Sequence, residues 1–138
     1  MTEQDIQDFV LRFANAWARR DGQRFLDLWH AHGTLHSPLY SRPVKGSEFG
    51  ELTAMLAKFA PDQVWQLLDW TWRPKGNDAV VMVEWQSTRV IDGARVDWRG
   101  VDKFTLVDGK IVEEIVYFDT APLRARRSGE TVEALIRL

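Results

Sequence analysis

Apolar residues recur at helical spacing through the first sixty or so positions and alternate with polar ones through the next sixty. Ile6, Phe9, Val10, Phe13, Ala14 and Trp17 fall on one face of a helix predicted over residues 2–20, and Thr2 with Asp5 has the form of a capping box. Asp21 can cap a second short helix over 23–30, with Phe25, Leu28 and Trp29 as its apolar side. Gly33 ends that unit. Residues 34–37 read as a short strand stopped by Pro38, and 39–45 as a loop punctuated by Pro43. Gly46 and Ser47 open a third helix with Phe49, Leu52, Leu56 and Phe59 inward, and Pro61 follows its end.

Beyond Pro61 the period changes to two. Residues 64–73 predict a strand carrying Trp65, Trp70 and Trp72; 74–78 make a turn; 79–90 predict a strand with Val81, Val83 and Trp85 on one face. Asp92-Gly93 suits a two-residue hairpin turn, which sets Trp85 opposite Gly100 and Val83 opposite Asp102. A last hairpin is expected over 95–119, around Asp108-Gly109. Its first strand puts Trp98, Gly100, Phe104 and Leu106 on one face, and Asp102 falls among them. An acid on an apolar face needs a reason.

The turn decides what meets Asp102. A three-residue loop with Gly109 as a bulge pairs Leu106 with Lys110, and therefore Phe104 with Val112, Asp102 with Glu114, Gly100 with Val116 and Trp98 with Phe118. A two-residue loop instead sets Ile115 opposite Asp102 and Glu113 opposite Phe104. The first register has the more continuous inward set and is the one expected; it opposes two carboxylates at the centre of the face. Past residue 119 come Pro122 and a basic patch, Arg124, Arg126 and Arg127, then a short amphipathic tail helix over 128–138. The whole is read as one domain over 1–138, with 121–138 a C-terminal extension. Helices first and a strand meander afterwards define an α+β class, with three helices packed inside one curved, mostly antiparallel sheet and a cavity at its open end.

Composition narrows the function. An apolar fraction of 45% and a charged fraction of 28% suit a soluble globular domain, and seven Trp with seven Phe suit an aromatic core or an apolar cavity. A net charge of -2 gives no reason to expect nucleic acid or an acidic membrane as partner. The absence of Cys excludes disulfides, thiolate catalysis and thiolate-bound metals. No apolar run approaches the ~20 residues of a membrane span, and the acidic N-terminus is not a signal peptide. A cytoplasmic setting is the expectation.

The candidate chemistry is a carboxyl pair. An apolar site favours the neutral form of Asp102, and Glu114 beside it raises one pKa further. Trp98, Trp85, Val83, Val116 and Phe118 are expected to wall the pair, Trp17 to belong to the same aromatic lining, and Tyr40 to donate a hydrogen bond at the mouth. Burial as a plain core acid is the competing reading of Asp102, and a one-residue slip would turn Glu114 to solvent. His30, His32 and His36 lack ligand spacing on one face, so no metal is expected. Ser37 has no His-Asp relay to make it a nucleophile. No phosphate-binding Gly-rich loop or dinucleotide fingerprint is present, and no cofactor is expected.

The stretch FANAWARRDGQRFLDLWHAHGTLHSP, the Gly46-Ser47 helix start and WRGVDKFTLVDGKIVEEIVYFD together resemble the NTF2-like superfamily, in its SnoaL-like and ketosteroid-isomerase-like group, over about residues 5–119. The resemblance implies a cone-shaped α+β barrel, a ligand cavity and frequent homodimers; it does not fix a reaction. In steroid isomerases a carboxylate base sits just before the proline of the first strand, where this chain has Ser37. Their helix-one tyrosine corresponds to Phe13, and their neutral late-strand acid to Asp102. Two of the three groups are replaced, so that isomerisation is not expected. The function expected is a pocket for a hydrophobic small molecule. In it Asp102 is an acid or donor and Glu114 the partner that holds or takes the proton in cofactor-independent isomerase, cyclase, dehydratase or hydrolase chemistry on a carbonyl or cyclic compound. The alternative is a non-catalytic module for an apolar ligand. Val101, Ile115 and Tyr117, side by side on the outer sheet face, are the expected homodimer contact.

Overall fold

A reciprocal cap starts the first helix. In α1 (Glu3–Arg19) the Thr2 hydroxyl accepts from the Asp5 amide and the Asp5 carboxylate accepts from the Thr2 amide. Thr2→Ala should therefore cost about 1 kcal/mol of stability, read as a lowered urea midpoint at unchanged slope. The computed structural model describes residues 1–128, so the tail helix expected over 128–138 lies, but for its first residue, outside the described residues. α1 buries Ile6, Phe9, Val10, Phe13 and Ala16. The rings of Phe9 and Phe13 meet Phe104 of the sheet edge-on at 5.3 and 4.8 Å, which fixes α1 against the inner face.

Asp21 caps α2 (Gly22–Leu28) by accepting from the amides of Gln23 and Arg24. This helix stops two residues before the expected end, because Trp29 is already extended and begins β1 (Trp29–His36). Pairing with a distant strand outweighs the helical spacing of Trp29. Gly33, expected to end a helix unit, lies within the strand where β1 bulges. A Cβ there would stand 2.7 Å from the Ile111 carbonyl oxygen and 2.8 Å from Cε3 of Trp29, so only glycine lets the backbones approach. The expected loop 39–45 ends in a short strand, β2 (Val44–Lys45), paired with β1. A 3-10 turn over Gly46–Glu48 then leads into α3 (Phe49–Phe59).

The long strands are β3 (Val64–Lys75), β4 (Asp78–Ile91), β5 (Ala94–Val107) and β6 (Lys110–Phe118), followed by α4 (Ala121–Ser128), which lies against β5. The six strands form one sheet in the order β2-β1-β6-β5-β4-β3, antiparallel except where β1 runs parallel to β6. The three α-helices and the 3-10 turn that precede β3, with one curtain of strands, make the α+β architecture expected.

The last hairpin corrects the expected register. Val107 pairs with Lys110 across a two-residue turn, with Asp108 and Gly109 both at positive φ of 50° and 74°. That backbone matches strand twist and needs no third loop residue. Leu106 pairs with Ile111 and Thr105 with Glu113, so Val112 is the extra residue of a bulge. Asp102 consequently faces Val116, not Glu114; Glu114 faces Phe104, and Gly100 faces Phe118. Trp98, expected opposite Phe118, stands opposite Ser87 of β4. The bulge has a second effect: after a two-residue turn alone Glu113 would point inward, and one added residue returns Glu114 to the inner face.

Candidate functional site

Four neighbouring strands bring the site together. On β4, Val83 stands directly opposite Asp102 and Trp85 opposite Gly100, as the Asp92-Gly93 turn predicts. On β6, Val116 is the other neighbour of Asp102. On β1, Leu35 lies beside Glu114 through the parallel pairing. Asp102 and Glu114 are each only 3% exposed, on one face, diagonal to one another and within hydrogen-bonding reach. The Trp85 indole Nε1 donates to Asp102 Oδ1 at 2.8 Å. Glu114 Oε2 is buried with no partner among the described residues.

Burial dominates the electrostatics. It pushes the Asp102 carboxyl up to about 7, against the opposing pull of its hydrogen bonds to Trp85 and Glu114. Glu114 is held well above the usual carboxylate range, first by burial, then by the negative charge on Asp102 and the hydrogen bond to it. Tyr40 is raised too, by burial and by the nearby charge of Glu114. Two carboxyls in this setting cannot readily both ionise.

Phe118, Phe13, Trp17 and Ser37, the other candidates, sit in four different settings. Phe118 is half-buried and packs its ring on Trp85 at 5.7 Å. Phe13 is fully buried and packs edge-on against Phe104 at 4.8 Å. Trp17 stands a turn further along α1, stacked on Trp65 beside a recess of about 10 Å³ that also touches Arg20, and is not part of the lining of the pair. Ser37 lines a shallow depression of about 550 Å³ with Val116 and Phe118 on one side of the sheet and His36, Ile115 and Tyr117 on the other. It lies where β1 stops at His36 and β6 runs on. Around the pair itself the space is taken by side chains: Phe104 and Val83 are fully buried. His36 is exposed on the outer face beside Ile115, the rings of His30 and His32 lie 5.6 Å apart in the open, and no metal-ligand cluster occurs among the described residues. Among those residues no helix is long and apolar enough to cross a membrane. Leu35 and Phe104 are the lining residues that the sequence reading missed as site components; Leu35 depends on the parallel β1–β6 pairing, which carries no local signal.

The SnoaL-like domain model matches residues 10–114, so the chain belongs to the SnoaL-like family. No curated protein sequence matches it. Several solved structures share the fold. A proposed polyketide cyclase from Bacillus cereus is similar at a TM-score of 0.75 and 16% identity, over 95% of this chain and 87% of the other. AclR, a proposed hydroxylase from Streptomyces galilaeus, is similar at a TM-score of 0.68 and 19% identity, over 97% and 87%. A proposed calcium/calmodulin dependent protein kinase II association domain from Xanthomonas campestris is similar at a TM-score of 0.67 and 16% identity, over 86% and 89%. The NTF2-like fold expected from the sequence is thereby established, and the spread of names shows how little that fold constrains chemistry.

Proposed function

We propose that the chain is a cofactor-independent acid–base enzyme, of isomerase, cyclase, dehydratase or hydrolase type, acting on a hydrophobic carbonyl or cyclic small molecule. The observation that carries this reading is the buried carboxyl pair. Two carboxyls buried side by side cost desolvation and mutual repulsion, so a fold has little to gain from keeping them. Carboxyls perturbed by burial and by each other gather at functional sites. A pair that shares one proton near neutral pH offers an acid and a base side by side, which is what proton transfer at a carbonyl needs. Val116, the strand neighbour of Asp102, also lines the depression over the end of β6, which it shares with Ile115 and Tyr117 of the outer face. Tyr40, whose hydroxyl feels the charge of Glu114, is the candidate hydrogen-bond donor beside the pair. The cyclase and hydroxylase names among the structural neighbours agree with a small-molecule site.

The test is exchange of α-protons for deuterium in bicyclic ketones such as tetralone, followed by NMR. Exchange above the buffer rate that vanishes in Asp102→Asn supports the reading. A ketone that binds without exchange gives the case to the non-catalytic binding module.

The same reading includes a homodimer through the outer sheet face. Val101 pairs with Tyr117 there and Ile115 with Lys103; Tyr117 is 54% exposed and Met82, on the same face, 42%. Light scattering at micromolar concentration should give the mass of two chains, and Tyr117→Arg should halve it. A wild-type monomer would remove this part of the proposal.

A further inference from the structure

An indole N–H donates and cannot accept. The bond from Trp85 to Asp102 therefore has one direction, and its geometry depends on a third residue. Trp85 is paired across the strands with Gly100, and a Cβ on Gly100 would lie 2.4 Å from Cζ2 and 2.8 Å from Cη2 of the indole. Any side chain at position 100 would push the ring away. Phe118, itself opposite Gly100, meets the ring at 5.7 Å. The indole thus rests on bare backbone, held by a phenyl ring, with its N–H aimed two residues along β5.

Glu114 has nothing comparable. Its strand neighbours are Phe104 and Leu35, and its Oε2 finds no partner among the described residues. Facing the pair are Val83 and Trp85 from β4, Val116 from β6, Leu35 from β1 and Phe13 of α1 by way of Phe104. Tyr40, from the loop after β1, is the other titratable group that reaches it.

We propose that Trp85 and Gly100 are positioning residues that keep Asp102 the ionised member of the pair and leave the shared proton on Glu114. This rests on the acid–base reading above. An ionised Asp102 accepts from both the Trp85 N–H and the Glu114 O–H, so the buried charge has two donors. The reverse state would give an ionised Glu114 one donor, the Asp102 O–H, and would leave the Trp85 N–H on a neutral acceptor. Burial raises both carboxyls, and the negative charge on Asp102 raises Glu114 further. Asp102 is then the base and Glu114 the acid, the reverse of the neutral-donor part that the steroid-isomerase resemblance implies for Asp102.

Carbon-detected NMR of the two carboxyl carbons over a pH series tests this without a substrate. In the wild type Asp102 should ionise first and Glu114 at higher pH. Trp85→Phe keeps a ring but loses the donor, and should raise the Asp102 midpoint by about one pH unit; Gly100→Ala should act in the same direction by displacing the ring. A merely structural role would lower the melting temperature and leave the midpoints in place. Glu114 ionising first in the wild type, or an unmoved Asp102 midpoint in folded Trp85→Phe, overturns the proposal. Should neither variant fold, the wild-type Trp85 indole N–H resonance decides. It must move with the Asp102 midpoint, and a resonance that ignores that midpoint overturns the proposal. Deuterium exchange separates the two claims. The stated titration order with no ketone exchanged defeats the acid–base reading and leaves the proton placement standing. Exchange lost in Asp102→Asn but titration unmoved in Trp85→Phe defeats the positioning role alone.

Discussion

Asp102→Asn should lower the rate of ketone exchange by about 100-fold or more, the usual scale for losing a general acid or base, while the protein stays folded. The substitution preserves shape. The Asn amide oxygen can still accept from the Trp85 N–H at the 2.8 Å position of Oδ1, and its NH2 can donate toward Glu114. What is lost is the ability to take a proton. Glu114→Gln should act in the same direction but less strongly, because Gln still donates to Asp102 and only the transferable proton disappears. Near-UV circular dichroism of each variant checks that the aromatic core around Phe104 is unchanged. If Asp102→Asn exchanges the ketone as fast as wild type, the carboxyl is a core acid and nothing more.

How far the site could be read from the sequence depended on where register information is stored. At Asp92-Gly93 it is local. Both residues adopt positive φ, 50° and 75°, and the two-residue turn alone fixes Val83 against Asp102 and Trp85 against Gly100. At Asp108-Gly109 the turn chemistry is the same, but the bulge at Val112 intervenes between turn and site. One signal for it was present: Ile111 and Val116 are both apolar yet of opposite parity, so an unbroken strand could not bury both. Ile111 is fully buried, Val116 is half-buried, and the single extra residue reconciles them. The expected opposition of the carboxyls therefore becomes a diagonal contact, with Glu114 still inward.

Other features were not legible because they are non-local. β1 begins at Trp29, inside a run with good helical spacing, because β6 offers a parallel partner more than eighty residues away. The Trp85–Asp102 bond requires the β4–β5 register and the missing side chain at Gly100 together; neither residue announces it alone. Trp85 was legible as apolar wall, and its polar end was not. Trp17 shows the converse: its helical position placed it correctly in the core, yet the stack on Trp65 draws it away from the carboxyls.

Stability should fall as pH rises above about 5, and the carboxyl pair should account for the fall. The sign follows from proton counts. Asp102 is raised from an ordinary value of 3.8 to about 7, and Glu114 is raised as well. Below the ordinary values both carboxyls are protonated in folded and unfolded chains and burial costs no charge. Between those values and the raised ones the unfolded chain gives up protons that the folded chain retains, so unfolding is favoured increasingly with pH. The loss levels off only after the folded pair has ionised, and should reach a few kcal/mol, at about 1.4 kcal/mol for each pH unit between unfolded and folded values. Asp5, Asp21, Glu48, Asp62 and Asp97 act oppositely. Hydrogen bonds hold them below the usual range, so their contribution is lost as pH falls through their lowered values. They set the acid side of the profile, and being exposed they are screened by salt. The double variant Asp102→Asn with Glu114→Gln removes the pair and leaves those five in place. Urea unfolding of both proteins from mildly acid to mildly alkaline pH isolates the pair as the difference between two curves. That difference should grow in favour of the variant as pH rises. Parallel curves would mean that the carboxyls ionise as easily inside the protein as outside it.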